Sequence, residues 1–557
     1  MDKFKDLPYE RVDKDKAARE YNGLIDALKN AKSFEEAWAV HEKATKISEH
    51  IMTEMVLANI RHDIDTTDEF YDKENDYNDE FGPVLQNLSN EYRKVLFSSP
   101  FRKEFEEKLG PVAFKSMELA IKSFDEKIIG LAQEENELSS KYTKLIATAK
   151  IPFDGEEYNL SLMRKFTTDP DRNVRKRAWK AISDYFLTVT ADIDDIYDKM
   201  VSNRTEQAKE MGYDSYVPLA YMRMNRNSYG REQVENFRKQ VKEAFVPLAT
   251  EIHEKRRNRI GVDSLKFYDN EVHFTNGNPA PIGTPEEILS AGQEMYRELS
   301  PETAEFIDFM REHDLFDVLG RKTKRQGGYM TYLPDYKAPF IFANFNGTSG
   351  DVDVITHECG HAFQGFVTRN DPIPEHNEIT METAEIHSMS MEYFTYGWME
   401  KFFGDRKDDY YTMHLEDSII FVPYGCMVDE FQHIVYDDPS MTPADRKKVW
   451  KELEKVYRPH LDYDNDPFFG EGGYWQRQGH IFQTPFYYID YVLASVCAMQ
   501  FKVRMDEDFR GAFEDYLKLC KLSATKFYEP MLKDVGLRSP FEDGCIEELV
   551  KQLRKKI

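Results

Sequence analysis

His357-Glu358-Cys359-Gly360-His361 sets two imidazoles four residues apart with a carboxylate directly after the first. On an α-helix that spacing places both rings on one face about one turn apart, where they can share a metal ion while the glutamate reaches toward a metal-bound water. The chemistry such a group performs is peptide hydrolysis of the zinc type. Val352, Val354 and Ile355 before the motif and Ala362, Phe363, Phe366 and Val367 after it continue an apolar stripe at helical spacing, so a buried helix is expected. Gly360 is about 1 kcal/mol worse than alanine inside a helix. Its presence there signals the close approach of another backbone or a bulky group.

A catalytic zinc takes about three protein ligands and keeps one position open. Downstream stand Glu375, His376, Glu378, Glu382, Glu385, His387 and Glu392. Residues 380–394 read as a helix on which Glu385, Ser388, Met389 and Glu392 share a face, while Glu382 and His387 point elsewhere. Spacing alone leaves Glu382 and Glu385 level as the third ligand. Further on, a glycine-rich stretch over residues 468–475 precedes Gly479-His480 and a run containing Tyr487, Tyr488 and Tyr491. A tyrosine hydroxyl or histidine N–H aimed at a scissile carbonyl would stabilise the negative charge that hydrolysis builds there.

The elements that must position these groups are mostly helical. Residues 14–145 are charged and carry apolar residues at helical spacing; Met117, Ile121, Phe124, Ile128, Leu131, Leu138, Tyr142 and Leu145 mark one face of a long helix. Residues 151–160 read as a hairpin turning at Asp154-Gly155. Thr168-Asp169-Pro170-Asp171 then supplies helix-start chemistry ahead of Val174, Ala178, Ile182 and Phe186. Residues 338–346 have strand composition, and Pro339 suits an edge strand, to which an extended peptide could add itself.

At 557 residues the chain can form two or three domains or one large fold divided by a cleft. A formal charge of −27 excludes the basic footprint of a nucleic-acid binder. Five scattered cysteines form neither a disulfide framework nor a short-spaced metal knuckle, and Cys359 reads as a small packing residue. Neither an N-terminal apolar leader nor an apolar run of membrane-spanning length occurs, so a soluble cytoplasmic protein without membrane or nucleic-acid partners is expected.

The His357–His361 motif, together with Glu385 followed by Ser388 three residues on and Glu392 seven on, resembles the thimet oligopeptidase and oligoendopeptidase F family of zinc metallopeptidases. The wording of residues 384–392 is most similar to its bacterial oligoendopeptidase F branch. The resemblance implies a mostly α-helical, two-lobed fold with a deep substrate channel and a small β-sheet beside the zinc-binding helix. Residues 1–200 would form one channel wall and residues 201–557 the catalytic domain. It implies one Zn²⁺ per chain on His357, His361 and Glu385, with Glu382, Ser388 and Glu392 behind them and Glu358 as general base. His480, with Tyr488 and Tyr491, matches the family's oxyanion-stabilising set, Tyr487 being a rival; where the family carries a further tyrosine this chain has Thr484 and Pro485. The implied activity is endopeptidase cleavage of short unstructured peptides by a monomer or small homo-oligomer. A helical zinc carboxypeptidase and a non-catalytic peptide binder are the alternatives.

Overall fold

The computed structural model describes residues 1–557 except 322 and 326. Helices Lys14–Asn30, Phe34–Ile64 and Glu69–Ser98 pack around a small core of their own that buries Tyr21, Leu24, Ala37, Phe81 and Leu96. Each begins on a side-chain cap: Asp13, Ser33 and Asp68 accept backbone N–H groups of Lys16, Glu36 and Phe70. The stripe from Met117 to Leu145, expected to be one helix face, belongs instead to two helices, Pro111–Ser123 and Ile129–Ala147. Phe124 is extended, and the Asp125 carboxylate accepts the N–H of Lys127. That local bond starts a new turn where periodicity alone would continue the old one.

Strands Ile151–Phe153 (β1) and Glu156–Tyr158 (β2) form the expected hairpin, with Asp154 and Gly155 both at positive φ (47° and 88°), as a tight primed turn requires. Asp171 caps the long helix Arg172–Glu210, whose Ile182, Phe186 and Tyr197 enter the main core. That core also buries Phe237, Phe245 and Ile252 of helix Arg231–Ile260 and most of the C-terminal half.

A second sheet comprises Phe316–Leu319 (β3), Tyr329–Leu333 (β4) and Ala338–Phe345 (β5) in the order β3-β5-β4, with β3 parallel and β4 antiparallel to β5. The expectation that residues 338–346 form an edge is overturned: β5 is the central strand. Pro339 is tolerated because it lies second in β5, before pairing with β3 begins at Ile341. Burial on both faces explains the near-continuous apolar run of β5. The edges are β3 and β4.

From β5 the chain turns into helix Gly350–Thr368, which carries both histidines and packs on β4 and β5. Asp351 accepts the backbone N–H groups of Asn346 (2.9 Å) and Gly347 (2.8 Å), holding the strand-to-helix turn. This histidine helix packs on Met381–Phe394, the glutamate helix, which packs in turn on Tyr488–Glu507, the tyrosine helix. Gly360 lies at the first of these contacts, where a Cβ would stand 2.6 Å from both His387 O and Ser388 Cα. The close backbone approach that its helix-breaking character signalled is present. All five cysteines are free and buried. No helix among the described residues is long and apolar enough to cross a membrane.

Gly360→Ala must push two backbones apart. Overpacking typically costs about 1–3 kcal/mol, and because backbone atoms rather than flexible side chains oppose the new methyl, a loss at or above the top of that range is expected. It would be read as a lowered denaturant midpoint accompanied by weaker metal retention; a wild-type midpoint would refute the contact.

Candidate active site

Three donor-bearing side chains converge where the histidine and glutamate helices cross. The rings of His357 and His361 lie 5.1 Å apart, one helical turn from each other. Glu385 Oε2 stands 3.3 Å from His357 Nε2 and 3.5 Å from His361 Nε2. The donor atoms of all three residues fall within 4.8 Å of one another. Glu385 is 3% exposed, and although burial pushes its carboxyl up, the two imidazoles hold it well below the usual carboxylate range.

Further side chains orient these donors. The Ser388 hydroxyl donates to Glu385 Oε2 (3.1 Å), and the Tyr487 hydroxyl donates to Oε1 (2.6 Å). Glu392 bridges two histidines, with Oε1 2.6 Å from His357 Nδ1 and Oε2 2.6 Å from His414 Nε2. Tyr396 OH continues the chain to His414 Nδ1 at 2.7 Å. Burial opposes ionisation of Glu392, but the hydrogen bonds from His357 and His414 prevail and hold it down to about 2. An ionised carboxylate only accepts, so His357 carries a proton on Nδ1, and its Nε2 is the atom directed at Glu385. Two imidazoles, one carboxylate and a carboxylate behind the first imidazole make a donor set that fits a zinc-type divalent cation.

Glu358, next to His357, is 9% exposed; burial raises its pKa, an effect partly offset by the flanking histidines and by a hydrogen bond from the Met330 amide of β4. The edge strand thus touches the candidate base. Cys359 is wholly buried, which keeps its thiol protonated, in line with a packing role.

His480 lines a cavity that His357, Glu392 and His414 also line. The Tyr424 hydroxyl donates to Gln478 Oε1 (2.7 Å), which turns the amide nitrogen of Gln478 toward His480 Nδ1 at 3.0 Å. An amide nitrogen can only donate, so Nδ1 accepts and the ring proton sits on Nε2. Burial pushes the His480 pKa down and keeps the ring neutral, so it can present an N–H. Tyr491 OH lies 3.4 Å from that Nε2. The rings of Tyr487, Tyr488 and Tyr491 stand 5.9, 5.1 and 5.7 Å from that of His480. Tyr487, only a rival on sequence grounds, is the tyrosine bonded to Glu385. The turn that presents these tyrosines has Phe486 at φ 67°, with its N–H donating to Gln432 Oε1 (2.9 Å) and its carbonyl accepting from Arg226. Gln478, His414, Tyr396 and Arg226 escaped sequence reading. Gln478 stands two residues before His480, but nothing in its type marks it as an orienting group.

The other downstream candidates lie apart from the cluster. Glu375 pairs with His41 (3.0 Å), and His376 donates its Nε2–H to the Leu109 carbonyl (2.9 Å) while its Nδ1 lies 3.2 Å from Asp371. Glu378 and His387 are not among the three converging donors, and Glu382 Oε2 lacks a hydrogen-bond partner. Glu382 is fully buried, accepts from the Thr380 hydroxyl (2.6 Å) and faces Asp490 and Arg226. Burial first and Asp490 second push its pKa up, so the folded protein holds this proton more tightly than the unfolded chain. Stability must then fall as pH rises from the unfolded carboxyl value of about 4.3 through neutrality. Glu382→Gln should flatten that slope, matching wild type near pH 5 and exceeding it near pH 8 in thermal unfolding; equal slopes in both proteins would exclude a protonated Glu382.

Comparison with known proteins adds sequence-wide support. The N-terminal domain model of peptidase M3 matches residues 4–124, and the peptidase family M3 model matches residues 165–282 and 298–551. A solved structure of PZ peptidase A with an inhibitor is 44% identical and superposes with a TM-score of 0.97, covering 100% of this chain and 99% of that one. Group B oligopeptidase PepB of Streptococcus agalactiae is 23% identical over 89% of this chain and 86% of its own length. An oligoendopeptidase F homologue of Borreliella burgdorferi is 24% identical over 57% of this chain, the match spanning 54% of that relative. Family models that take in most of the sequence, joined to an end-to-end structural match, establish that this chain belongs to peptidase family M3 and is a metalloendopeptidase acting on oligopeptides.

Proposed function

We propose that the chain hydrolyses internal bonds of short, unstructured peptides at a single Zn²⁺ held by His357, His361 and Glu385. The observation that carries this reading is the convergence of these three donors within 4.8 Å, with Glu358 directly beside His357. Zinc, when bound there, supplies a Lewis acid for the scissile carbonyl and acidifies a coordinated water. Glu358 takes the proton of the attacking water and returns it to the leaving amine. His480, through its Nε2–H, and Tyr491 or Tyr488 donate to the carbonyl oxygen as it gains charge, while Tyr487 steadies Glu385.

The substrate backbone would extend along β4, the edge strand whose Met330 amide already reaches Glu358. In this reading residues 1–200 wall one side of a channel and residues 201–557 carry the catalytic groups. Support comes from a cavity of about 620 Å³ lined both by Arg164, Thr168 and Trp179 and by His357 and His480. Five free, buried thiols support a reducing compartment such as the cytoplasm.

An internally quenched peptide blocked at its C-terminus tests the endopeptidase mechanism and separates it from a carboxypeptidase. Cleavage should vanish with a chelator and return with zinc. Glu358→Gln should retain zinc but lose about 10²–10⁴-fold in kcat, the usual contribution of a general base. Glu385→Ala should lose zinc stoichiometry as well as activity. Removing the His480 donor by His480→Ala should lower kcat by about 10²–10³-fold with a smaller change in KM. Activity that survives both the chelator and Glu358→Gln would overturn the mechanism.

A further inference from the structure

The cavity beside the metal-binding residues has an aromatic wall that leads away from them to unpaired positive charge. From His480 the wall passes to Tyr488 (5.1 Å between ring centroids) and then to Tyr424 (5.9 Å from Tyr488). The Arg458 guanidinium stands 5.4 Å from the Tyr424 ring and 5.3 Å from Tyr474. Arg477 lies on the same ring, 4.9 Å from the Tyr474 centroid and 4.9 Å from that of Trp179. Arg458, Tyr424, Tyr474, Trp179 and His253 all line the cavity.

Neither guanidinium forms an ion pair with any described carboxylate, although the chain carries 101 acidic residues against 74 basic ones. Arg458 Nη1 and Arg477 Nη1 are buried and lack hydrogen-bond partners. So do both ring nitrogens of His253, which is 3% exposed, stacked on His460 at 3.4 Å and kept neutral by burial. The nearest acids are otherwise engaged. Glu454 accepts from Trp450 (2.8 Å) and Tyr463 (2.5 Å), and burial raises its pKa to about 7. Glu271 accepts from Thr167 (2.9 Å), and Asp417 pairs with Arg256 (3.2 Å) and His273 (3.0 Å). Buried donors of charged groups normally find acceptors, so the unpartnered Arg458 on the cavity wall, with Arg477 on the same Tyr474 ring, marks a place for an acceptor from outside.

We propose that this end of the cavity is a carboxylate-binding subsite, in which Arg458 holds an anionic group of the peptide, supported by the charge of Arg477 on the same Tyr474 ring, while the reacting bond lies at His480. The inference rests on the oligopeptidase reading above and adds a substrate preference to it. Guanidinium groups stacked on aromatic rings are pre-oriented, and their free N–H edges match the two oxygens of a carboxylate. A cavity of about 620 Å³ encloses a segment of a few residues. At roughly 3.3–3.6 Å per extended residue, the aromatic wall spans about three to five residues between the reacting bond and the bound anion. Two sources supply that chemistry: the C-terminal carboxylate of the peptide, or an Asp or Glu side chain within it.

The test uses the zinc-loaded wild-type enzyme and quenched peptides in two arms. One arm compares a free C-terminus with its carboxamide; the other moves a single Asp, against Asn, from two to six residues on either side of the scissile bond. The expected result is a KM lower by about tenfold or more for the acid in one arm, which also identifies the source, as befits a hydrogen-bonded charge. Arg458→Met and Arg477→Met should each shrink the acid-to-amide ratio of kcat/KM toward one, and Arg458→Lys should restore part of it. Equal KM values for acid and amide in both arms, or a preference that survives in both Met variants, would overturn the subsite. Binding of the uncleaved peptide pairs to metal-free wild-type protein, followed by fluorescence anisotropy, reads the same preference without catalysis. Loss of cleavage with acid-selective binding intact would therefore strike the oligopeptidase reading and not this one.

Discussion

The contact between Gly360 and the backbone at His387–Ser388 is the constraint on which the site depends. Two helices can bring a short carboxylate side chain to a pair of imidazoles on the facing helix only if their backbones nearly touch. Any Cβ at position 360 would hold them apart. The helix penalty of glycine, about 1 kcal/mol, is small beside what the crossing achieves. Ser388, on the other side of the same contact, is small enough to fit and uses its hydroxyl to steady Glu385. The same residues that allow the approach thus also aim the ligand.

Around that crossing the polar groups form directed chains instead of isolated pairs. Tyr396, His414, Glu392 and His357 follow one another at 2.6–2.7 Å, and each link fixes the proton position of the next. On the opposite wall Tyr424, Gln478 and His480 do the reverse, leaving a neutral imidazole with its proton directed outward. One chain directs an imidazole Nε2 at Glu385, and the other presents a proton. Buried networks of this kind gain strength from low local dielectric, and a single missing partner costs correspondingly more.

The candidate catalytic groups come from three separate stretches, the histidine helix, the glutamate helix and the segment from Gln478 to Tyr491, with strand β4 touching Glu358 through its Met330 amide. Their mutual positions depend on long-range ties such as Arg226 to the Phe486 carbonyl, which secures the left-handed residue just before the tyrosines. A non-glycine residue in that conformation persists only where its surroundings over-determine it. Here Gln432 and Arg226 bind its amide and carbonyl, and its ring packs against Tyr436 and His433.

Local chemistry was legible in the sequence. The spacing of His357 and His361, the primed turn at Asp154-Gly155, the Asp171 cap and the demand of Gly360 for a close neighbour all follow from residues a few positions apart, whose geometry covalent structure and helix pitch dictate. Pairing between distant segments was not. Periodicity left Glu382 and Glu385 level; their helix turns Glu385 toward the histidines and Glu382 toward Asp490, a choice made by what packs on each side. The same holds for β5, which reads as an edge strand because of Pro339 but becomes central when β3, from upstream, pairs beyond the proline. Tyr487 gained its bond to Glu385 from a turn held by Arg226, 260 residues away. Which chemistry the chain could perform was already set by residue types and short spacings, which packing does not alter. Tertiary structure alone decided which side chains perform it, because packing chooses the faces that meet.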